Sequence, residues 1–161
     1  MIFTYIIEER GFEVPQFAFL MAALGAGALL STGLFIWTSM RPSLTLIMAL
    51  LTFDGVALLA FVITDIPALI FGSMAAMGLI GGVYMIVMRS FLQSRSEADG
   101  RDTLIAAFYG IQEPFLMMGL VFLLLILPFF TASQILFGAS LVEIGLSAAL
   151  LLAAPKNPAR L

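Results

Sequence analysis

Five apolar runs dominate the chain, at residues 16–39, 43–64, 67–91, 103–127 and 132–154. A helix rises about 1.5 Å per residue, so about 20 apolar residues cross a hydrocarbon core roughly 30 Å thick. Each run is long enough. In lipid every backbone polar group must be satisfied internally, and an α-helix achieves this within a single segment. The expected fold is therefore all-α, a polytopic transmembrane bundle of five spans. Hydrophobic residues make up 62% of the chain and charged ones 11%, whereas soluble domains are about half apolar and a quarter charged. The expected organisation is a stub and loop on the outer side (1–15), a five-helix transmembrane domain (16–154) and a short cytoplasmic tail (155–161).

The connections differ in charge. Arg41 follows the first run, Arg95 and Arg101 follow the third with Arg89 in its last turn, and Lys156 and Arg160 follow the fifth. Those three segments share one side. The other side carries Glu8-Glu9-Arg10-Gly11-Phe12-Glu13, the Asp65-Ile66-Pro67 turn and an uncharged turn from Phe129 to Ala132, with Arg10 its one basic residue. The positive-inside rule places the carboxyl terminus in the cytoplasm and the amino terminus outside, and a bacterial inner (cytoplasmic) membrane is the expected location. No basic-flanked signal peptide precedes the first run, and Met1 to Ile7 is an apolar stub worth about 10 Å of helix. It reads as the outer end of a further helix, so the chain is expected to be a fragment of a longer transporter-like protein or a shortened descendant of one.

The chain has no cysteine and no histidine, which removes disulfides, thiol catalysis and the commonest ligands for haem, zinc and iron–sulfur centres. Neither a cofactor nor a metal is expected. The single lysine, Lys156, lies in the tail, away from any position where it could activate a serine, so an enzyme is not expected. A net charge of −3 with no basic patch sets nucleic acid aside. The expected surroundings are the lipid bilayer, other membrane protein chains and, for a transporter, a small-molecule solute.

Within the runs, Ala23, Gly27 and Ser31 recur at four-residue spacing in the first span, near Gly25 and Gly33, and Gly78 and Gly82 repeat the device in the third, beside Gly81. Small residues one turn apart let helix backbones approach closely in lipid. Plain packing is the simpler reading, and a hinge or a close substrate passage the alternative. Pro114, near the middle of the fourth span, removes a donor from the carbonyl of Gly110, so a kink is expected there. The ten methionines and fifteen phenylalanines fit helix interfaces and lipid-facing surface.

Three acids sit near mid-membrane without a basic residue at their depth: Asp54, Glu113 and Glu143. A carboxylate at the bilayer centre costs on the order of 3 kcal/mol, so each needs protonation, a hydrogen bond, water or a partner. Glu143 has Ser140 and Ser147 on its own face, a polar stripe that suits a hydrogen-bonded acid, whereas Asp54 is flanked by Leu50, Leu51, Ala57 and Leu58. Glu113 adjoins Gln112 and Pro114, with Tyr109 one turn earlier. That group is the leading candidate for proton coupling or substrate contact. Structural hydrogen bonding and contact with another protein remain open for all three acids.

The run Glu8-Glu9-Arg10-Gly11-Phe12 with Gln16-Phe17 and the glycine-rich first span resembles the outer loop and eighth helix of the major facilitator superfamily of secondary transporters. The glycines of the third span, then Met88-Arg89-Ser90-Phe91-Leu92-Gln93 and Gly100-Arg101, resemble that family's tenth helix, inner loop and eleventh helix. The resemblance covers nearly the whole chain as helices eight to twelve, with the stub as the end of helix seven. It implies the carboxyl-terminal half of a transporter, incapable of alternating access without an amino-terminal six-helix half. The family's basic, glycine-containing inner-loop motif is replaced by Met40-Arg41-Pro42. The family layout puts Glu113 on a cavity-lining helix, and Asp54 and Glu143 on peripheral helices nine and twelve. The alternative to a transporter half is a non-catalytic accessory or assembly subunit of a larger membrane complex, respiratory or photosynthetic.

The charge asymmetry makes a topological prediction. Single cysteines replacing Ser96 and Gly11 should be labelled by an impermeant thiol reagent from opposite faces of the membrane, Ser96 from the cytoplasm. Labelling of both from one face contradicts the five-span arrangement.

Overall fold

A computed structural model describes residues 2–38, 41–95 and 101–153; Met40, Ser96, Gly100, Lys156 and Arg160 lie outside the described residues. The described residues are mostly helical, with no strand among them. Helix α1 (Ile2–Thr4) runs into a π-helical turn (Tyr5–Glu9), followed by α2 (Val14–Thr38), α3 (Leu44–Ile63), α4 (Pro67–Arg95), α5 (Arg101–Ile126) and α6 (Ala132–Ala153). Helices α2 to α6 are each long and apolar enough to cross a membrane, as the apolar runs require, and the chain is an integral membrane protein of five such helices. The largest boundary difference is at α4, which continues past residue 91 to Arg95 because a helix leaving the hydrocarbon region needs no further apolar residues.

Local chemistry sets the helix ends. Ser43 stands just before α3 in an extended conformation, and its hydroxyl accepts from Leu46 N at 3.1 Å, satisfying one of the orphan donors of a first helical turn. Pro67 opens α4, where a missing N–H costs nothing. At α6, Thr131 N donates to Gln134 Oε1 at 3.0 Å and Gln134 N donates to Thr131 Oγ1 at 3.3 Å, a reciprocal capping box. Gly11, with φ of +67°, lets the chain reverse between the π-helical turn and α2.

Helix α4 is the hub: α2 packs along one flank and α3 along another, and α6 packs in turn against α3. The α2–α4 contact is a backbone contact. A Cβ at Gly27 would strike the Ala75 carbonyl oxygen and come within 2.8 Å of Leu79 N, while one at Gly78 would strike the Leu24 carbonyl and come within 3.1 Å of Ala28 N. Gly82 faces the Ser31 side chain in the same seam. Between α3 and α6, Gly55 faces Ile144 and the Ser140 carbonyl, and Thr52 and Ser147 share a 2.9 Å hydrogen bond between their hydroxyls. Helix α5 touches the remainder only sparsely, mainly along α4.

The stub, expected to be the outer end of a further helix, packs into the bundle. Tyr5 and Ile6 are 2% and 1% exposed and join Leu20, Phe61, Met74 and Leu136 in one apolar cluster. A second cluster, around Ile47, Val83 and Val87, lies where α3 and α4 meet further along. Outward-facing Leu29, Trp37 and Leu152 are more than four-fifths exposed, a surface suited to lipid as solvent.

The glycine seam makes the α2–α4 contact selectively sensitive to a single methyl group. Gly78→Ala should destabilise the bundle by about 1–3 kcal/mol through overpacking against backbone. Gly81→Ala, whose Cβ meets nothing within 4 Å, should be neutral or stabilising, since alanine is the better helix former by up to about 1 kcal/mol. Unfolding of both variants in detergent micelles reads the difference, and equal losses would exclude the seam as its cause.

Candidate functional site

Helix α5 is continuous through Pro114, and Glu113 lies at its centre with an exposed side chain. No hydrogen bond or ion pair reaches the Glu113 carboxylate from the described residues. Gln112 is partly buried, and its Oε1 is shielded yet has no hydrogen-bond partner. The Tyr109 side chain lies outside the described residues. Glu113 and Gln112 are thus adjacent and unsatisfied, without a hydrogen bond to each other. A helix that packs lightly against its own bundle leaves them so.

The other two acids come together. Asp54 on α3 and Glu143 on α6, both half-buried, are within electrostatic range of each other, and Tyr84 of α4 is within range of Glu143. The α3–α6 contact produces this, because Gly55 beside Asp54 accepts Ile144 beside Glu143 at close range. The serine stripe does not serve the Glu143 carboxyl in the expected way. Ser140 donates to the Phe137 carbonyl at 2.7 Å and Ser147 to the Glu143 backbone carbonyl at 2.6 Å, the back-bonding that helical serines commonly adopt. No group of three or more metal-ligating side chains exists among the described residues.

The densest polar cluster lies instead at one end of the bundle, around residues read from sequence only as loop and stub. Tyr5 donates its phenolic hydrogen to the Val62 carbonyl at 2.9 Å. Arg10 donates to the Tyr5 hydroxyl at 2.6 Å and to the same Val62 carbonyl at 2.5 Å, and pairs with Asp65. Its guanidinium lies 5.2 Å from the centre of the Tyr5 ring, within cation–π range, and Tyr5 in turn packs against Phe61 with ring centres 5.4 Å apart. Val62 is in the last turn of α3, so a cation and a hydroxyl satisfy a carbonyl with no intrahelical donor, at the negative end of the helix dipole.

Glu9 performs the converse task at α6. Its two carboxylate oxygens accept from Ala132 N at 2.5 Å and Ser133 N at 3.0 Å, placing a negative charge at the positive end of a helix dipole. Partial burial opposes the charge, but the hydrogen bonds from Ser133 and Ala132, with Arg10 nearby, outweigh it and hold the Glu9 carboxyl below its ordinary 4.5. The adjacent Glu9-Arg10 pair therefore clasps the end of α3 to the start of α6. The available sequence signal was the opposite-charge pair on the same face as the Thr131-Ala132-Ser133-Gln134 capping pattern. What no local pattern contains is their distance apart, more than a hundred residues along the chain.

Comparison with known protein families, curated proteins and solved structures returns no match.

The clasp generates a pH-dependent prediction. A carboxylate whose folded value is depressed contributes stability that is fully present above its unfolded value and lost as pH falls through the folded one. Glu9→Ala should cost about 1 kcal/mol at neutral pH, the usual worth of a helix cap. The gap between it and the wild type should close as pH drops from 4.5 through the depressed value. Unfolding curves in micelles at about pH 7 and about pH 3 measure it; a gap of constant size would remove Glu9 as its source.

Proposed function

We propose that this chain acts as half of a secondary transporter of the major facilitator kind, moving solute only when further transmembrane helices cover α5. The observation that carries the reading is Glu113: an exposed carboxylate at the centre of a membrane-spanning helix that packs sparsely on its own bundle. Such a residue is expensive against lipid and becomes tolerable where it faces a water-filled path or another helix. Glu113 is then the coupling or substrate group, with Gln112 and Tyr109 its neighbours and Pro114 the point where α5 can bend. The clasp holds α3 and α6 as one body at the outer end, as rocking of one half against another requires.

A second reading, an accessory or assembly subunit without transport activity, is favoured by the character of the grooves. The largest of those described, about 440 Å³, lies between α5 and α6 and is walled by residues such as Phe122, Leu123 and Ile135. Another between α3 and α4, walled by residues such as Phe53, Val56 and Leu69, is similarly apolar. Neither includes Asp54, Glu113 or Glu143. Both readings place the amino terminus outside and the carboxyl terminus in the cytoplasm, with Arg10 paired with Asp65 and the other described basic residues, Arg41, Arg89, Arg95 and Arg101, toward the opposite end.

The two part experimentally. Purification in mild detergent from the native membrane should recover the bundle together with other membrane helices, and the isolated chain in liposomes should move no solute. In the assembled form, Glu113→Gln should abolish pH-dependent flux, read by an entrapped pH dye, at unchanged protein level. Flux by the lone chain would end both readings, and assembled flux with unaltered pH dependence in Glu113→Gln would end the coupling role.

A further inference from the structure

The Glu113 face of α5 has a regular pattern. Ala106, Gly110, Glu113, Met117, Leu120 and Leu124 follow one another at alternating spacings of four and three residues, and all six are exposed. That spacing is the seam of a left-handed helix pair, the commonest crossing in membrane bundles. Ala106 and Gly110 keep the seam shallow on one side of Glu113, and a Cβ at Gly110 would meet nothing within 4 Å, so a neighbouring backbone has room there. On the other side Met117, Leu120 and Leu124 supply adaptable apolar bulk.

Lipid cannot complete this seam, because its centre is an acceptor. The chain's own described basic residues stand at or near helix ends, well away from that depth. A second copy packed on the same seam would set another acceptor-rich carboxyl opposite Glu113, whereas a basic residue supplies both the opposite charge and the donors. From the charge and the spacing together, resting on the reading that other membrane helices cover α5, we infer that α5 seats a partner transmembrane helix carrying one basic residue opposite Glu113. A cation at that position neutralises the carboxylate and supplies charge-assisted hydrogen bonds in a medium where both groups are otherwise costly. The pair also sets the register of the two helices, as a single polar position does in coiled coils.

The test uses the full chain in liposomes with a labelled synthetic leucine helix of about 20 residues, carrying at its centre an arginine, an asparagine or no polar residue. Energy transfer between helix and chain reads association. The arginine helix should bind about tenfold more tightly than the all-leucine helix, a difference of about 1.4 kcal/mol. Glu113→Gln should erase that preference and Glu113→Asp should keep it. Equal binding of arginine and leucine helices, a preference that survives Glu113→Gln, or asparagine binding as tightly as arginine overturns the inference. Partner helices recovered from the native membrane that carry no basic residue near mid-span would overturn it too, while leaving the broader reading of α5 as a covered face intact.

Discussion

The approach of α2 to α4 is the contact on which the bundle rests. Between helices in lipid there is no water to expel, so close packing must hold them together, and the available closeness is set by what stands between the backbones. At Gly27 and Gly78 nothing does: each glycine faces the main chain of the other helix. With α2 seated on it, α4 presents other faces to α3 and sparsely to α5, and α6 is held at one remove through α3. The Thr52–Ser147 hydrogen bond and the Gly55–Ile144 contact belong to that outer pairing.

Electrostatics acts at the end of the bundle rather than its centre. Helix α3 finishes and α6 starts on the same side, so their dipole ends are of opposite sign. Two consecutive residues, Glu9 and Arg10, answer both, and Tyr5 adds a donor to the same Val62 carbonyl that Arg10 uses. The Arg10–Asp65 pair itself contributes little, since Asp65 is 88% exposed and such pairs are screened. The gain comes from satisfying helix-end groups that otherwise face apolar surroundings.

The membrane acids divide by the same packing. Asp54 and Glu143 are brought into range of each other because α6 packs on α3, and Tyr84 of α4 comes into range of Glu143. Glu113 is left outward because α5 packs only sparsely. A polar residue that its own bundle does not satisfy is more informative about assembly than one that is, and it lies on the helix with the fewest internal neighbours.

The sequence alone determined that five helices cross a membrane, because hydrocarbon thickness and backbone hydrogen bonding leave a long apolar run no other structure. It also placed the helix ends to within a few residues and marked Gly27, Gly78 and Gly82 as sites of close approach. Only the tertiary structure decided which helix each glycine meets, that Asp54 and Glu143 come within electrostatic range of each other, that the serines beside Glu143 bond backbone instead of its carboxyl, and that Tyr5, Glu9 and Arg10 lock an end of the bundle. Helix formation depends on contacts four residues apart, which periodicity and hydropathy record. Pairing between helices depends on shape and charge at positions far apart in the chain, and in a uniformly apolar sequence hydropathy is the same on every face.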